Sequence, residues 1–222
     1  ERKITVLPSN GVDIGRFRER AETRAECERV RRELGIPQNA NVIGFVGRLV
    51  ADKGIADMVA AVDRVRERHA NTYLLIVGGD LAGDVLPDPV ARRLRDNPRV
   101  ILTGKVEEPA AYYSAMDLLV FPSYREGLPN VPLEAAACEV PAVGYRSTGV
   151  VDAIADGVTG LISTQGDAMG LGDALARYLD NPTLRIAHGR AARERILTRF
   201  SNEKTWDAWR AVYLRLLRER DV

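Results

Sequence analysis

Short unbroken apolar runs, rich in β-branched and aromatic residues, recur along this chain, and each is followed by a loop and a segment of helical period. They fall at residues 42–46, 73–77, 100–103, 118–121, 142–144 and 160–162. A strand with one solvated face alternates polar and apolar residues, whereas a strand covered on both faces reads as a continuous apolar run. The segments between are amphipathic: Ile55, Met58, Val59, Val62 and Val65 form a stripe at three- and four-residue spacing. This order predicts right-handed crossovers and an α/β fold, a doubly wound, Rossmann-like parallel sheet with helices on both faces. Ligands of such folds bind at the carboxyl ends of the strands.

Three helical segments, at residues 168–179, 182–197 and 202–220, end the sequence. In the last, Trp206, Trp209, Tyr213 and Leu216 share a face, which predicts core packing. A strand expected at residues 4–7 leads into the turn-rich Pro8-Ser9-Asn10-Gly11-Val12-Asp13 and then a charged helix ending at Leu34-Gly35, where glycine supplies the cap. There is no internal repeat, so residues 1–222 parse as one domain, long enough for one sizeable core.

With 45% hydrophobic and 28% charged residues the composition is that of a globular protein, not a disordered or membrane one. A net charge of +1 gives no argument for nucleic acid as a partner. The Arg-rich stretches 29–32 and 190–195 are interleaved with Glu or apolar residues and read as solvated helix faces. Cys27 and Cys138 are too isolated for a disulfide framework or a zinc ligand set, and His69 and His188, both in charged segments, read as surface residues. No apolar run approaches a membrane span and Glu1-Arg2-Lys3-Ile4 lacks a signal-peptide core, so a cytoplasmic, reducing compartment is expected.

Chemistry concentrates in three loops. Gly47-Arg48-Leu49-Val50-Ala51-Asp52-Lys53-Gly54 follows the first core strand and precedes a helix, a setting in which Arg48 and Lys53 suit a pyrophosphate. The glycine spacing fits neither a Walker A loop nor the dinucleotide fingerprint, and an ordinary basic surface loop is the alternative. Gly104-Lys105-Val106 follows the third strand, where backbone groups can meet the edge of a base or simply end a strand. Glu126-Gly127-Leu128-Pro129-Asn130-Val131-Pro132-Leu133-Glu134 joins a strand to an Ala-rich helix whose free N–H groups suit an anion. Glu134 sits in an otherwise apolar helix, where a carboxylate needs a partner. Vicinal hydroxyls, as on a ribose, or a buried ion pair would serve. Glu126 is either a hydroxyl ligand or a solvated charge.

Together these residues resemble the C-terminal, nucleotide-binding half of a retaining glycosyltransferase of family 4, with the two-domain GT-B architecture. The resemblance runs along the chain through Asn10 to Asp13 with Phe17, Gly47-Arg48-Leu49, Lys53-Gly54, Gly78-Gly79-Asp80, Gly104 to Val106, Pro122-Ser123, the pair Glu126 and Glu134, and Asp156-Gly157-Val158-Thr159-Gly160-Leu161. It implies transfer of a hexose-type sugar from a nucleotide-sugar, with a UDP or GDP base among the options, to a saccharide or lipid-linked acceptor in polysaccharide or glycolipid assembly.

Roles follow by position. Gly47, Arg48 and Lys53 would hold the donor diphosphate, Arg48 and Lys53 neutralising the charge that develops on it. Glu126 with Gly127, Leu128, Pro129 and Asn130 would hold the sugar and distal phosphate, Glu134 the ribose, and Lys105 and Val106 the base. Neither a metal nor a cofactor is implied, and no carboxylate is expected to be a covalent nucleophile. The chain would be a single donor-binding domain with residues 1–20 on the interdomain side, 198–222 a closing helix directed toward the other half, and the acceptor-binding N-terminal domain absent. Such a fragment alone would catalyse little. The full protein would be cytoplasmic, with peripheral attachment to the inner membrane face an option. A nonhydrolysing nucleotide-sugar epimerase, a phosphorylase or a noncatalytic nucleotide-binding module shares the architecture. Glu139, before Val140-Pro141, departs from the family, which often has glycine there, and bears on the local turn.

Overall fold

The computed structural model describes residues 7, 11–19, 22–79 and 86–220. The strand expected at 4–7, the turn Pro8-Ser9-Asn10 and Asp80 lie outside the described residues, except Leu7, which is not in a strand. The helix expected to end at Leu34-Gly35 is α1 (Arg24–Glu33), with Gly35 just beyond it at φ 68°. Six strands follow: β1 (Asn41–Val46), β2 (Thr72–Val77), β3 (Val100–Leu102), β4 (Leu118–Phe121), β5 (Ala142–Tyr145) and β6 (Gly160–Ser163). Each coincides with a predicted apolar run to within a residue at either end.

All adjacent strands pair in parallel, in the order β3-β2-β1-β4-β5-β6. Strand order reverses between β1 and β4, so the crossovers on either side of that boundary leave a crevice at its carboxyl end. Helices α2 (Ile55–Arg68), α3 (Asp88–Asp96) and α7 (Ala168–Asp180) cover one face, where Ile43, Phe45, Leu74, Ile76, Leu118 and Val120 meet Met58, Val62, Leu94, Leu171 and Leu175. The other face, with Val42, Leu75, Leu119 and Ala142, packs on α1, α4 (Ala110–Ala115), α5 (Asn130–Ala137), α6 (Val150–Ala153) and α8 (Pro182–Arg195). Successive strand residues point to opposite faces, which is why both sets are apolar. Each fully buried aliphatic side chain adds about 1.5–3 kcal/mol.

Several expectations from the sequence are corrected. The segment expected as one helix over 182–197 is α8 followed by a π-turn at Ile196–Phe200, then α9 (Asn202–Arg220). On α9 the aromatic face is not core: Trp206 is 64%, Trp209 40% and Tyr213 61% exposed. Spacing shows that a face is apolar, not that this chain covers it. His188 is buried, its Nδ1 2.7 Å from the Tyr178 hydroxyl, and burial lowers its pKa. His69 is half-buried, with Nε2 3.0 Å from Asp180 Oδ1.

The Arg-rich stretches are likewise more than solvated faces. Arg31 is buried, donates to Asp117 Oδ2 at 3.0 Å and to the carbonyls of Ala115, Gln38 and Ala40, and ties α1 to the start of β4. Arg193 donates to the Ala137 carbonyl and Arg195 to those of Ala153 and Asp152. Glu139 is the non-glycine residue with positive φ among the described residues, at 57°, so the turn keeps the left-handed geometry that glycine would adopt. Neither cysteine is in a disulfide among the described residues; Cys138 is buried and Cys27 half-buried.

Candidate functional site

The loops leaving β1 and β4 flank the reversal point of the sheet. After Val46 the chain runs through Gly47 to Val50, a 3-10 turn at Ala51–Lys53, and Gly54, which precedes α2 at φ 68°. A Cβ on Gly54 would stand 2.2 Å from the Pro122 carbonyl oxygen, so the bare backbone is what lets the first loop close on the exit of β4. Tyr124 N donates to Asp52 O at 2.9 Å and laces the loops together.

That closure brings Lys53 Nζ to 2.7 Å from Glu126 Oε1, which also accepts from the Ser123 hydroxyl at 2.7 Å. The Lys53 and Glu126 side chains are 21% and 16% exposed, so Glu126 is paired and mostly buried rather than a solvated charge. The lysine keeps two further N–H donors.

Beyond Glu126, Gly127 is exposed, Leu128 half-buried and Pro129 buried, and exposed Asn130 opens α5. Pro129, the N-cap residue, makes no side-chain cap bond, and the first-turn amides and the positive end of the helix dipole lie at the exit of β4. The loop after β5 supports the segment. Gly149, at φ 77°, lies so close that a Cβ would fall 1.4 Å from the Gly127 carbonyl oxygen.

Glu134, one turn into α5, is half-buried, and its Oε2 accepts from the Tyr113 hydroxyl at 2.7 Å. Its partner is therefore a phenol; among the described residues it forms no ion pair with Arg or Lys. Burial raises its pKa above the ordinary carboxylate value, against the opposing pull of the Tyr113 hydrogen bond and the Arg16 charge.

Arg48 is exposed and makes no hydrogen bond or ion pair among the described residues. Lys105 is exposed, while Val106 is half-buried against the core. Gly78 N donates to Gly104 O at 3.0 Å, and a Cβ on Gly79 would meet Leu49 Cγ at 2.6 Å. The loops after β1, β2 and β3 thus share one edge of the sheet with those after β4 and β5. Among the described residues no three or more His, Cys, Asp or Glu side chains group in a way that could hold a metal ion. No described helix is long and apolar enough to cross a membrane.

Two groups at this edge were not legible as such. Asp57, in the first turn of α2, accepts at one oxygen from both Tyr124 (2.5 Å) and Tyr145 (2.9 Å). An acidic residue in a first helical turn was the available signal, and it names no partner. Tyr113 carried no sequence signal, because its relation to Glu134 spans α4 to α5.

A parallel sheet that reverses between β1 and β4, with an uncapped helix N-terminus, a lysine and two carboxylates beside that boundary, defines a GT-B-type, Rossmann-like domain with a crevice suited to an anionic, hydroxylated ligand. The family model of glycosyl transferases group 1 matches residues 40–181, the span from β1 through α7, and the chain belongs to that family. The capsular polysaccharide biosynthesis glycosyltransferase CapM of Staphylococcus aureus is 32% identical over 225 residues, covering 100% of this chain and 58% of CapM. Sucrose-phosphate synthase from Thermosynechococcus elongatus superposes with a TM-score of 0.80 at 28% identity, over 97% of this chain and 53% of that one. Anabaena HepE, solved with UDP and glucose, shares the fold at a TM-score of 0.80 and 20% identity, over 96% of this chain and 58% of HepE. The chain spans little more than half the length of each.

Proposed function

We propose that this chain is the donor-binding domain of a retaining, family 4 glycosyltransferase that moves a hexose-type sugar from a nucleoside-diphosphate donor to a saccharide or lipid-linked acceptor. The observation that carries this reading is the meeting of Lys53, Ser123 and Glu126 beside the uncapped N-terminus of α5, at the reversal point of the sheet and inside the matched span. In it, the diphosphate lies against the α5 amides, and Arg48 and Lys53 stabilise the charge that builds on the leaving phosphate. These two cations do the work that a metal ion does elsewhere. Glu126 and the backbone of Gly127 to Asn130 receive the sugar, Glu134 the ribose, and the backbone at Lys105 and Val106 the base. The resemblance to CapM favours polysaccharide assembly, and UDP in the crystals of HepE makes a UDP-sugar the first donor to try. The acceptor site belongs to a second, N-terminal domain that closes over the crevice.

The test is a thermal-shift screen of UDP-, GDP- and ADP-sugars, followed by calorimetry of the best ligand on Arg48→Ala, Lys53→Ala and Glu134→Ala. Each substitution is expected to weaken binding by about tenfold or more. Unchanged affinity in all three would sink the reading.

A further inference from the structure

Glu134 is held from one side only. Its Oε2 accepts the Tyr113 hydroxyl at 2.7 Å, whereas Oε1 accepts no hydrogen bond from the described residues and is not among the buried, unpartnered oxygens. Tyr113 itself is fully buried in α4, and its ring and that of Phe17 pack in a T-shaped pair at a centroid distance of 5.7 Å and 72°. Burial and the nearby Glu134 charge raise the phenol pKa well above its ordinary value, so it stays a proton donor at any physiological pH. A glutamate side chain has three rotatable bonds. One oxygen tied to an immobile phenol leaves the other aimed in one direction before any ligand arrives.

We infer that Tyr113 is a positioning residue, which pins Oε2 of Glu134 so that Oε1 is presented to the vicinal hydroxyls of a ribose. The inference rests on the donor-site reading above and deepens it: selection for a ribose over a sugar lacking those hydroxyls depends on a phenol that never touches the nucleotide. Phe17, from the 11–19 segment, holds the phenol in turn, which extends the positioning chain from α5 through α4 to the start of the described domain.

Calorimetry of the protein with UDP, GDP and ADP, each beside its 2′,3′-dideoxy counterpart, tests this. The unsubstituted protein is expected to prefer at least one ribonucleotide over its dideoxy partner by about tenfold or more. Tyr113→Phe keeps the ring and removes only the hydroxyl, and should weaken that ribonucleotide by about tenfold while dideoxy affinity changes less than about twofold. In a Glu134→Ala background, which leaves nothing for the phenol to aim, Tyr113→Phe should add no comparable loss. The dideoxy affinity is an internal check on folding, since a damaged domain loses both ligands together. Equal loss of both, or no loss of either, overturns the positioning role and leaves the donor-site reading standing. If the unsubstituted protein binds none of the six nucleotides, both readings fall.

Discussion

Lys53 Nζ and Glu126 Oε1 are 2.7 Å apart across 73 residues of sequence, joined because Gly54 lets one βα loop rest on the exit of the neighbouring strand. With both side chains mostly buried, removing the cation strands a carboxylate that, among the described residues, only the Ser123 side chain still satisfies. Lys53→Ala should lower stability by about 1–2 kcal/mol in chemical denaturation. The exchange Lys53→Glu with Glu126→Lys should recover most of that stability without recovering nucleotide binding. Recovery of both would mean that the pair acts only as a brace.

Gly149 and Gly127 face each other across the crevice wall, yet they should respond oppositely to one added methyl group. At Gly149 a Cβ would meet the Gly127 carbonyl at 1.4 Å on a backbone at φ 77°, whereas at Gly127 nothing stands within 4 Å. Gly149→Ala should cost about 3 kcal/mol or more, a fall in Tm of roughly 6–12 °C, and Gly127→Ala less than about 0.5 kcal/mol. Thermal unfolding of the two variants makes the comparison.

The Asp57 carboxylate fastens the exits of β4 and β5 to the first turn of α2 through two phenols on one oxygen. Tyr145 is fully buried and Tyr124 is exposed, so the two bonds differ in weight. Tyr145→Phe should destabilise by about 1–2 kcal/mol and Tyr124→Phe by about 0.5 kcal/mol or less. Asp57→Ala, which leaves the Tyr145 hydroxyl unpaired, should exceed either, and the Asp57→Ala and Tyr145→Phe losses should not add in the double variant. Urea denaturation of the set would show strict additivity if the tie were absent.

Glu134 gives a pH dependence with a definite sign. Burial raises its pKa in the folded protein above the unperturbed value of 4.5, so between the two values the folded state binds more protons than the unfolded one. Stability from this group therefore falls as pH rises from the unfolded to the folded value, and the loss persists at neutral pH. Glu134→Gln removes the charge but keeps an acceptor for the Tyr113 phenol. It should raise Tm near neutral pH, with the gain shrinking as pH falls toward 4.5. A gain that grew on acidification would contradict the assignment.

Element positions were largely legible because they follow from local pattern. Six apolar runs became six strands, and the stripe from Ile55 to Val65 became the buried side of α2, since period and flanking turns report which face a backbone will bury. Partners were not legible. Arg31 looked like one more cation on a solvated face and is instead bound to Asp117 and three carbonyls. His188 looked superficial and bonds Tyr178 in the interior, and the Trp206 face looked like core and is exposed. The Arg31–Asp117 contact spans 86 residues, and the His188–Tyr178 contact joins two successive helices across 10 residues. Whether any element covers the Trp206 face is likewise set by packing between elements, about which spacing within one element carries no information.

The sequence by itself determined the class of fold, through strands apolar on both faces alternating with amphipathic helices, and marked Lys53, Glu126 and Glu134 as charges placed next to helix starts. Only the tertiary structure decided how those charges are used. The reversal of strand order between β1 and β4 puts two distant loops side by side, and the resulting contact pairs Lys53 with Glu126, while α4 delivers Tyr113 to one oxygen of Glu134. A carboxylate's partner is fixed by how layers pack, and packing is a property of the whole sheet rather than of any window along the chain.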